Sequence, residues 1–230
     1  MFIEDLKAEI DAYAARLMGE ARLWKLAERG AVTPNVVASY LYNLFFVLSF
    51  TEPHLTLAGA RATELGRHAL SRSFAEKLPE ESGHAAWADE DLARLRADFG
   101  AEYRLEPHPA MVRLMDAIEA ALVQNPATYL GYTTFAEYFT VIAGPAWMGM
   151  LSERCGIPVS TLSAVSRHIE LDVEHAARGF DELACLVRES DEAAVMSIVR
   201  LAMKCLAELY DGLADQAASE LRSRELIHAA

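Results

Sequence analysis

The feature of this sequence that most limits its fold is a run of thirty-three residues, 120–152, in which Glu137 is the only charged side chain. A carboxylate is costly to bury unless it is protonated, paired with a cation or bound to a metal ion. The run contains no Lys, Arg or His of its own. A partner for Glu137 must therefore come from another part of the chain.

The apolar run is long enough to raise the question of a membrane span. Three features argue against that interpretation: Glu137 lies near its middle, Gly144 and Pro145 interrupt it, and Gln, Asn, Thr and Tyr side chains dilute its apolar character. The pattern instead predicts a helix buried inside a protein, with no membrane partner.

Helix-favouring residues dominate the chain, which has 230 residues of which 53% are hydrophobic, with 12 Gly and 8 Pro. Thr33 followed by Pro34 is typical of a helix start, Gly100 of a helix end, and Ser160 or Thr161 of a cap before a long helix. No β-hairpin pattern, repeat or linker stands out. We predict one all-α domain, residues 1–230, with about seven or eight helices.

The charge and the cysteines exclude several classes of protein. A formal net charge of -13 argues against a nucleic-acid partner, since no basic stripe offsets it. The 3 cysteines have neither disulfide-framework nor zinc-motif spacing. The acidic, amphipathic N-terminus lacks the pattern of a signal peptide. These observations predict a cytoplasmic protein.

The strongest local pattern is HIELDVEH, in which His168, Asp172 and His175 stand at i, i+4 and i+7. On a helix these three positions lie within roughly 60° of one another. Two imidazoles and one carboxylate on one face are a ligand set for iron, manganese or zinc. Glu170 and Glu174 fall on other faces, where we expect solvated charges.

A second pattern lies in EESGHAAW, where Glu81 and His84 form an ExxH pair. On a helix such a pair projects two ligands to one side, as in carboxylate-bridged di-metal bundles. With Glu137 and the three residues of HIELDVEH, the chain offers three carboxylates and three imidazoles. This inventory suits two iron ions, each with nitrogen and oxygen ligands and an open position for dioxygen.

The combination of ExxH, a Glu within LGYTTFAEYF and a later HxxxDxxH resembles the haem-oxygenase-like di-metal oxidases, or iron-containing redox enzymes. The resemblance covers roughly residues 35–185 and implies a haem-oxygenase-like bundle. Members of that family bind two ferrous ions and use dioxygen to oxidise small substrates such as amino acids or fatty acids. Carried over residue by residue, the resemblance implies iron ligands at Glu81, His84, Glu137, His168, Asp172 and His175.

One position departs from the family pattern. Some members have a ligand Glu seven residues before the His of the ExxH pair, where this chain has Lys77. The departure leaves the filling of the second iron position open and gives Glu81 more weight. If the helix continues through Pro79, Lys77 shares a face with His84, where it either pairs with a substrate carboxylate or simply extends to solvent.

Aromatic residues near Glu137 are candidates for a substrate chamber, although aromatic side chains in a buried helix are more often plain core. With Lys77, the candidate substrate-binding residues are Tyr132, Tyr138 and Trp147. We assign no catalytic residue beyond the metal ligands. The expected partners are a small, partly aliphatic substrate and an external electron donor, and the long apolar helices suggest a homodimer.

Other functions compatible with this composition explain less of the sequence. A haem oxygenase needs a proximal His near the N-terminus, and the first helix has none. A thiaminase-like hydrolase needs a nucleophilic Cys beside a carboxylate, and a ferritin-like protein needs two lone Glu ligands where only Glu137 is evident. The remaining alternative is a helical protein of this fold that binds a small ligand without a di-iron centre.

Overall fold

A computed structural model describes residues 2–228, and this part of the chain contains helices and no β-strand, which confirms the all-α prediction. A short 3-10 turn, Val159–Thr161, precedes the ninth helix. The ten α-helices are α1 (Phe2–Glu20), α2 (Arg22–Glu28), α3 (Pro34–Leu48), α4 (Thr51–Glu64), α5 (His68–Glu81), α6 (His84–Phe99), α7 (Pro109–Gln124), α8 (Ala127–Glu153), α9 (Ser163–Leu186) and α10 (Glu189–His228).

Short breaks divide what the sequence pattern presents as longer helices. Ala21 adopts an extended conformation between α1 and α2. Ser82 is also extended and Gly83 has φ 82°, so the backbone turns sharply between α5 and α6. These breaks raise the number of helical segments above the expected seven or eight. Of the predicted extent 1–230, residues 1, 229 and 230 lie outside the described residues.

The predicted helix ends are confirmed where the capping residue is local. Thr33 caps α3 by accepting a hydrogen bond from the Val36 N–H at 3.3 Å, and Pro34 occupies the first turn. Gly100 ends α6 in the left-handed conformation, with φ 61°. The Thr33 hydroxyl can accept a hydrogen bond from a free backbone N–H, and Gly100, which has no side chain, adopts the left-handed conformation at little cost.

The expected cap of α9 is wrong. Ser160 and Thr161 belong to the 3-10 turn, and the helix begins at Ser163. Its first turn is capped by Asp91 of α6, whose carboxylate accepts the Ala164 N–H at 2.7 Å and the Ser163 hydroxyl at 2.6 Å. A carboxylate at a helix N-terminus is stabilising, and a cap supplied by another helix leaves no local sequence pattern.

Helix α8 is the centre of the bundle and packs against α1, α7, α9 and α10, among others. Most of its side chains are buried, as its apolar sequence predicts. Pro145 lies inside α8 at an exposed position and does not end the helix. No helix within residues 2–228 has the length and apolar character needed to cross a membrane.

Two glycines bring α8 and α9 unusually close together. A Cβ atom on Gly144 would lie 2.7 Å from the Ile169 side chain, and one on Gly179 would lie 2.6 Å from the Thr134 hydroxyl oxygen. Neither contact leaves room for a methyl group. At these two places, the backbone of one helix is in direct contact with a side chain of the other, so the helices that carry Glu137 and HIELDVEH are closely packed.

Candidate metal centre

Helices α5, α6, α8 and α9 bring most of the predicted ligands into one cluster. Ligand atoms of Glu81, His84 and His168 all lie within 4.8 Å of one another. Ligand atoms of Glu81, Glu137 and His175 form a second group within the same distance. Glu81 belongs to both groups, so the cluster has the form of two adjacent positions that share one carboxylate.

The ExxH pair is not carried by a single helix, which corrects the sequence-based expectation. Glu81 is the last residue of α5 and His84 is the first of α6. The turn between them is held in part by Gly83, whose N–H donates to Glu52 Oε1 at 3.0 Å. His84 Nδ1 still lies 3.1 Å from Glu81 Oε2, because the sharp turn keeps both side chains on one side.

Several ligand-type atoms in the cluster are buried and have no hydrogen-bond partner among the described residues. They are His84 Nδ1, Glu137 Oε2, His168 Nε2 and His175 Nδ1. His175 Nδ1 is 3.7 Å from Glu81 Oε1 and 3.8 Å from Asp172 Oδ1, too far for a hydrogen bond. Buried polar atoms are normally satisfied, so this set of orphaned atoms fits a bound cation.

His168 is oriented by its own helix. Its Nδ1 lies 2.6 Å from the Ala164 carbonyl oxygen, which can only accept, so Nδ1 carries the proton. The unpartnered Nε2 then presents a lone pair to the cluster. A metal-binding His is commonly fixed through its other ring nitrogen in this way.

Asp172 is buried beside the cluster but belongs to neither group of three. Burial, followed by the neighbouring carboxylates Glu137 and Glu81, raises its pKa from 3.8 to about 8, against a lowering by Lys77. Metal-free protein therefore favours a protonated Asp172 at neutral pH. A cation in the cluster would favour the ionised form.

Lys77 is the cationic partner of Glu137 and comes from another helix, α5. Its Nζ donates to Glu137 Oε1 at 2.7 Å, and the residues are only 2% and 7% exposed. Burial still raises the pKa of Glu137, since desolvation outweighs the Lys77 ammonium. The expectation that metal ions alone neutralise Glu137 is therefore corrected, and so is the alternative in which Lys77 extends to solvent.

A cavity of about 210 Å³ adjoins the cluster. Glu81, Glu137, His168 and Asp172 contribute to its wall, whereas His84 and His175 do not. The rest of the wall is mainly apolar. Side chains of the cluster thus face a chamber for a small molecule.

The structure divides the residues predicted to contact substrate. Tyr132 and Trp147 line the cavity, whereas Lys77 does not. Tyr138 also lies outside the wall, because its hydroxyl donates to Asp11 Oδ1 at 2.8 Å and its ring packs on Phe180. Tyr138 follows Glu137 directly, and consecutive helical residues point in different directions.

The far part of the cavity is lined by residues that sequence reasoning missed. Trp24 of α2, Tyr40 of α3 and Tyr210 of α10 surround Trp147, with ring centroids 5.4, 5.9 and 6.3 Å from that of Trp147. Each comes from a different helix and follows no shared spacing. The only sequence feature that indicated these residues was the aromatic character of their helices.

The sequence matches no protein-family model and no curated protein. Among solved structures, the chain is similar to a domain of unknown function with a haem oxygenase-like fold from Shewanella denitrificans OS217, with a TM-score of 0.79 and 17% identity over 93% of this chain and 92% of that one. It is also similar to a CADD-like protein of unknown function from Nostoc punctiforme PCC 73102, with a TM-score of 0.69 and 14% identity over 94% of this chain and 98% of that one.

The chain has a haem oxygenase-like fold. The similarity extends over nearly the full length of both proteins, which confirms the bundle implied by the sequence resemblance. Sequence identities this low carry the fold and not the chemistry. The function must therefore be argued from the cluster and the cavity.

Proposed function

We propose that this protein is a non-haem iron-dependent oxidase or oxygenase that uses dioxygen to oxidise a small, partly aliphatic substrate. The observation that carries the proposal is the convergence of Glu81, Glu137, His168 and His175 beside an apolar cavity, in a cluster where four buried ligand-type atoms lack partners among the described residues. Mixed nitrogen and oxygen ligands with few neutralising cations are typical of non-haem iron sites.

Each residue has a separate part in the proposed centre. Glu81, His84 and His168 would hold one iron ion, and Glu81, Glu137 and His175 a second, with Asp172 as a further carboxylate ligand. The Ala164 carbonyl fixes the His168 ring so that Nε2 faces the cluster. When bound, iron supplies the redox chemistry with dioxygen that no side chain of the chain can perform.

The cavity supports an oxidation of a small molecule at this centre. Tyr132 and Trp147 lie in the same wall as His168, so a molecule in the chamber lies next to the ligand cluster. Burial of Glu137 and Asp172 limits the access of water, which protects reactive species from side reactions. The mainly apolar wall favours a substrate with aliphatic or aromatic parts.

A second candidate is a protein that binds a small ligand in this cavity without a di-iron centre. The Lys77–Glu137 ion pair supports this alternative, because it neutralises one of the carboxylates without any metal. The buried, unpartnered His168 Nε2 and His175 Nδ1 argue for the metal instead, since an ion pair elsewhere does not satisfy them.

Anaerobic reconstitution separates the two candidates. Metal-free protein is incubated with Fe²⁺, desalted and analysed for bound iron, then mixed with oxygenated buffer in a stopped-flow absorbance instrument. We expect up to about two iron ions per chain and an oxygen-dependent visible absorption that decays. Glu170→Ala, at an exposed position on α9, is the control for His168→Ala.

The proposal fails if iron binds no better to wild-type protein than to His168→Ala, or if bound iron oxidises in air without a transient absorption. Retained binding of small apolar compounds to such a metal-free protein would then support the second candidate. The two candidates thus predict opposite results for the same two proteins.

A further inference from the structure

The Lys77 ammonium lies inside the ligand cluster and not at its edge. It is buried on α5, one helical turn before Glu81, and contacts Glu137 Oε1 at 2.7 Å. Glu137 belongs to the Glu81–Glu137–His175 group. No Lys or Arg among the described residues makes a hydrogen bond or ion pair with a member of the Glu81–His84–His168 group. The direct contact with a fixed cation is therefore made at one of the two positions, although the Lys77 charge also acts on the shared Glu81.

The charges of the cluster favour one divalent ion over two. Three carboxylates face it, those of Glu81, Glu137 and Asp172, and the histidines bind metal as neutral ligands. One divalent ion and the Lys77 ammonium balance these three charges. Two divalent ions with Lys77 leave two positive charges in excess in a buried site, which is costly. Glu80 and Arg178 at the rim pair with each other.

We infer that Lys77 is a built-in cation that makes the two metal positions unequal. The Glu81–His84–His168 position binds a divalent ion tightly, whereas the Glu81–Glu137–His175 position binds one only in competition with Lys77. The inference rests on the proposed metal centre and refines it. Lys77 acts as a positioning residue that sets metal stoichiometry, and it needs no contact with substrate.

The hydrogen bond explains how the competition operates. Glu137 Oε1 is engaged by Lys77, and only Oε2 is left without a partner. A metal ion at the second position must bind the one free oxygen of Glu137 beside a positive charge, or the Lys77 ammonium must leave Glu137 Oε1, its one hydrogen-bond acceptor in the described part of the chain. Both routes act through Glu137, so they weaken binding at that position more than at the first one, which shares only Glu81 with it.

Anaerobic titration with Mn²⁺ tests the inference without relying on enzyme activity. Free Mn²⁺ is measured by its EPR signal in wild type, Lys77→Met and the control Lys204→Met, which removes an exposed lysine of α10. In wild type we expect one tight ion and a second that binds at least about tenfold more weakly, the size of effect typical of residues that tune metal ligands. Lys77→Met should tighten the second ion by a similar factor, and Lys204→Met should match wild type.

Lys77→Gln provides a second variant if Lys77→Met does not fold, because glutamine keeps a hydrogen-bond donor for Glu137 without the charge. Circular dichroism establishes which variants are folded. Two ions of equal affinity in wild type, or an unchanged second affinity in the folded variant, overturn this inference alone. A complete lack of Mn²⁺ and Fe²⁺ binding in every protein overturns the proposed function together with it.

Discussion

The two ends of the cavity differ in chemistry: one is lined by packed aromatic rings and the other by charged and polar ligand groups. Glu137 and Trp147 are ten residues apart on α8, which corresponds to about 15 Å along the helix. At one end, the rings of Trp24, Tyr40 and Tyr210 each pack against the ring of Trp147. Around Glu137, carboxylates and imidazoles crowd together with unpartnered atoms.

This difference shows where the fold gains stability and where it gives stability up. Large aromatic side chains gain most when they leave water, and their packing rewards burial. The indole N–H groups of Trp24 and Trp147 have no partner among residues 2–228, but an unpaired neutral donor costs far less than an unpaired charge. The aromatic end therefore supports the ligand end, whose arrangement is unfavourable until a cation binds.

The sharpest way to break the comparison is to remove a ligand without disturbing packing. His168→Ala deletes the unpartnered Nε2, and we expect metal affinity to fall by more than the roughly 10- to 100-fold that the loss of an outer-shell partner costs. Calorimetric titration with Fe²⁺ or Mn²⁺ measures the change. The unfolding midpoint of the metal-free variant should stay close to that of wild type, and a large drop would show that His168 is a structural residue.

At the aromatic end the order of effects reverses. Trp147→Ala removes a side chain that is 3% exposed, and the resulting void should lower the free energy of unfolding by about 3–5 kcal/mol. Urea denaturation measures the loss, with Val173→Ala, at an exposed position of α9, as the control. Metal affinity of the folded variant should remain near the wild-type value. If it fell as far as in His168→Ala, the two ends would not be separable.

The pH dependence of metal-free protein tests the cost of the ligand end. A folded-state pKa of Asp172 near 8, above its ordinary 3.8, means that the unfolded chain releases this proton first as the pH rises. Stability should therefore fall between about pH 4 and pH 8, with a slope of at most about 1.4 kcal/mol per pH unit from this group. Asp172→Asn should flatten the slope in denaturation series, and an equal slope in both proteins would contradict the assignment.

The smallest effect is expected at Tyr138, which the structure places outside the cavity wall. Tyr138→Phe removes only the hydroxyl that donates to Asp11, so the free energy of unfolding should change by about 1 kcal/mol or less. Binding of apolar probes in the cavity, followed by fluorescence, should not change. A clear loss of probe binding would place Tyr138 back in the cavity wall.

The sequence predicts those parts of the centre that a single helix carries. His168, Asp172 and His175 share α9, so a rule about helical spacing finds them. Glu137 stands out because it is the only charge in an apolar run. The fold class follows equally from helix-favouring composition and punctuation.

Relations between distant helices were beyond such rules. Lys77 and Glu137 are sixty positions apart, and only packing of α5 against the rest of the bundle places a lysine against that glutamate. Asp91 caps α9 from α6, and the sharp turn at Gly83 replaces a continuous helix between Glu81 and His84. Local propensity does not report contacts of this kind, because they are decided by the tertiary structure.

The glycines between α8 and α9 have a consequence for ion preference. Gly144 lies beside Ile169, the neighbour of His168, and Gly179 lies four residues beyond His175. The two close contacts therefore lie near the two ends of the ligand set on α9. A methyl group at either glycine would move α8 and α9 apart by a fraction of an ångström. Because Mg²⁺, Mn²⁺ and Fe²⁺ differ in radius and preferred geometry, Gly144→Ala or Gly179→Ala is a route to changing the relative affinity of the cluster for these three ions.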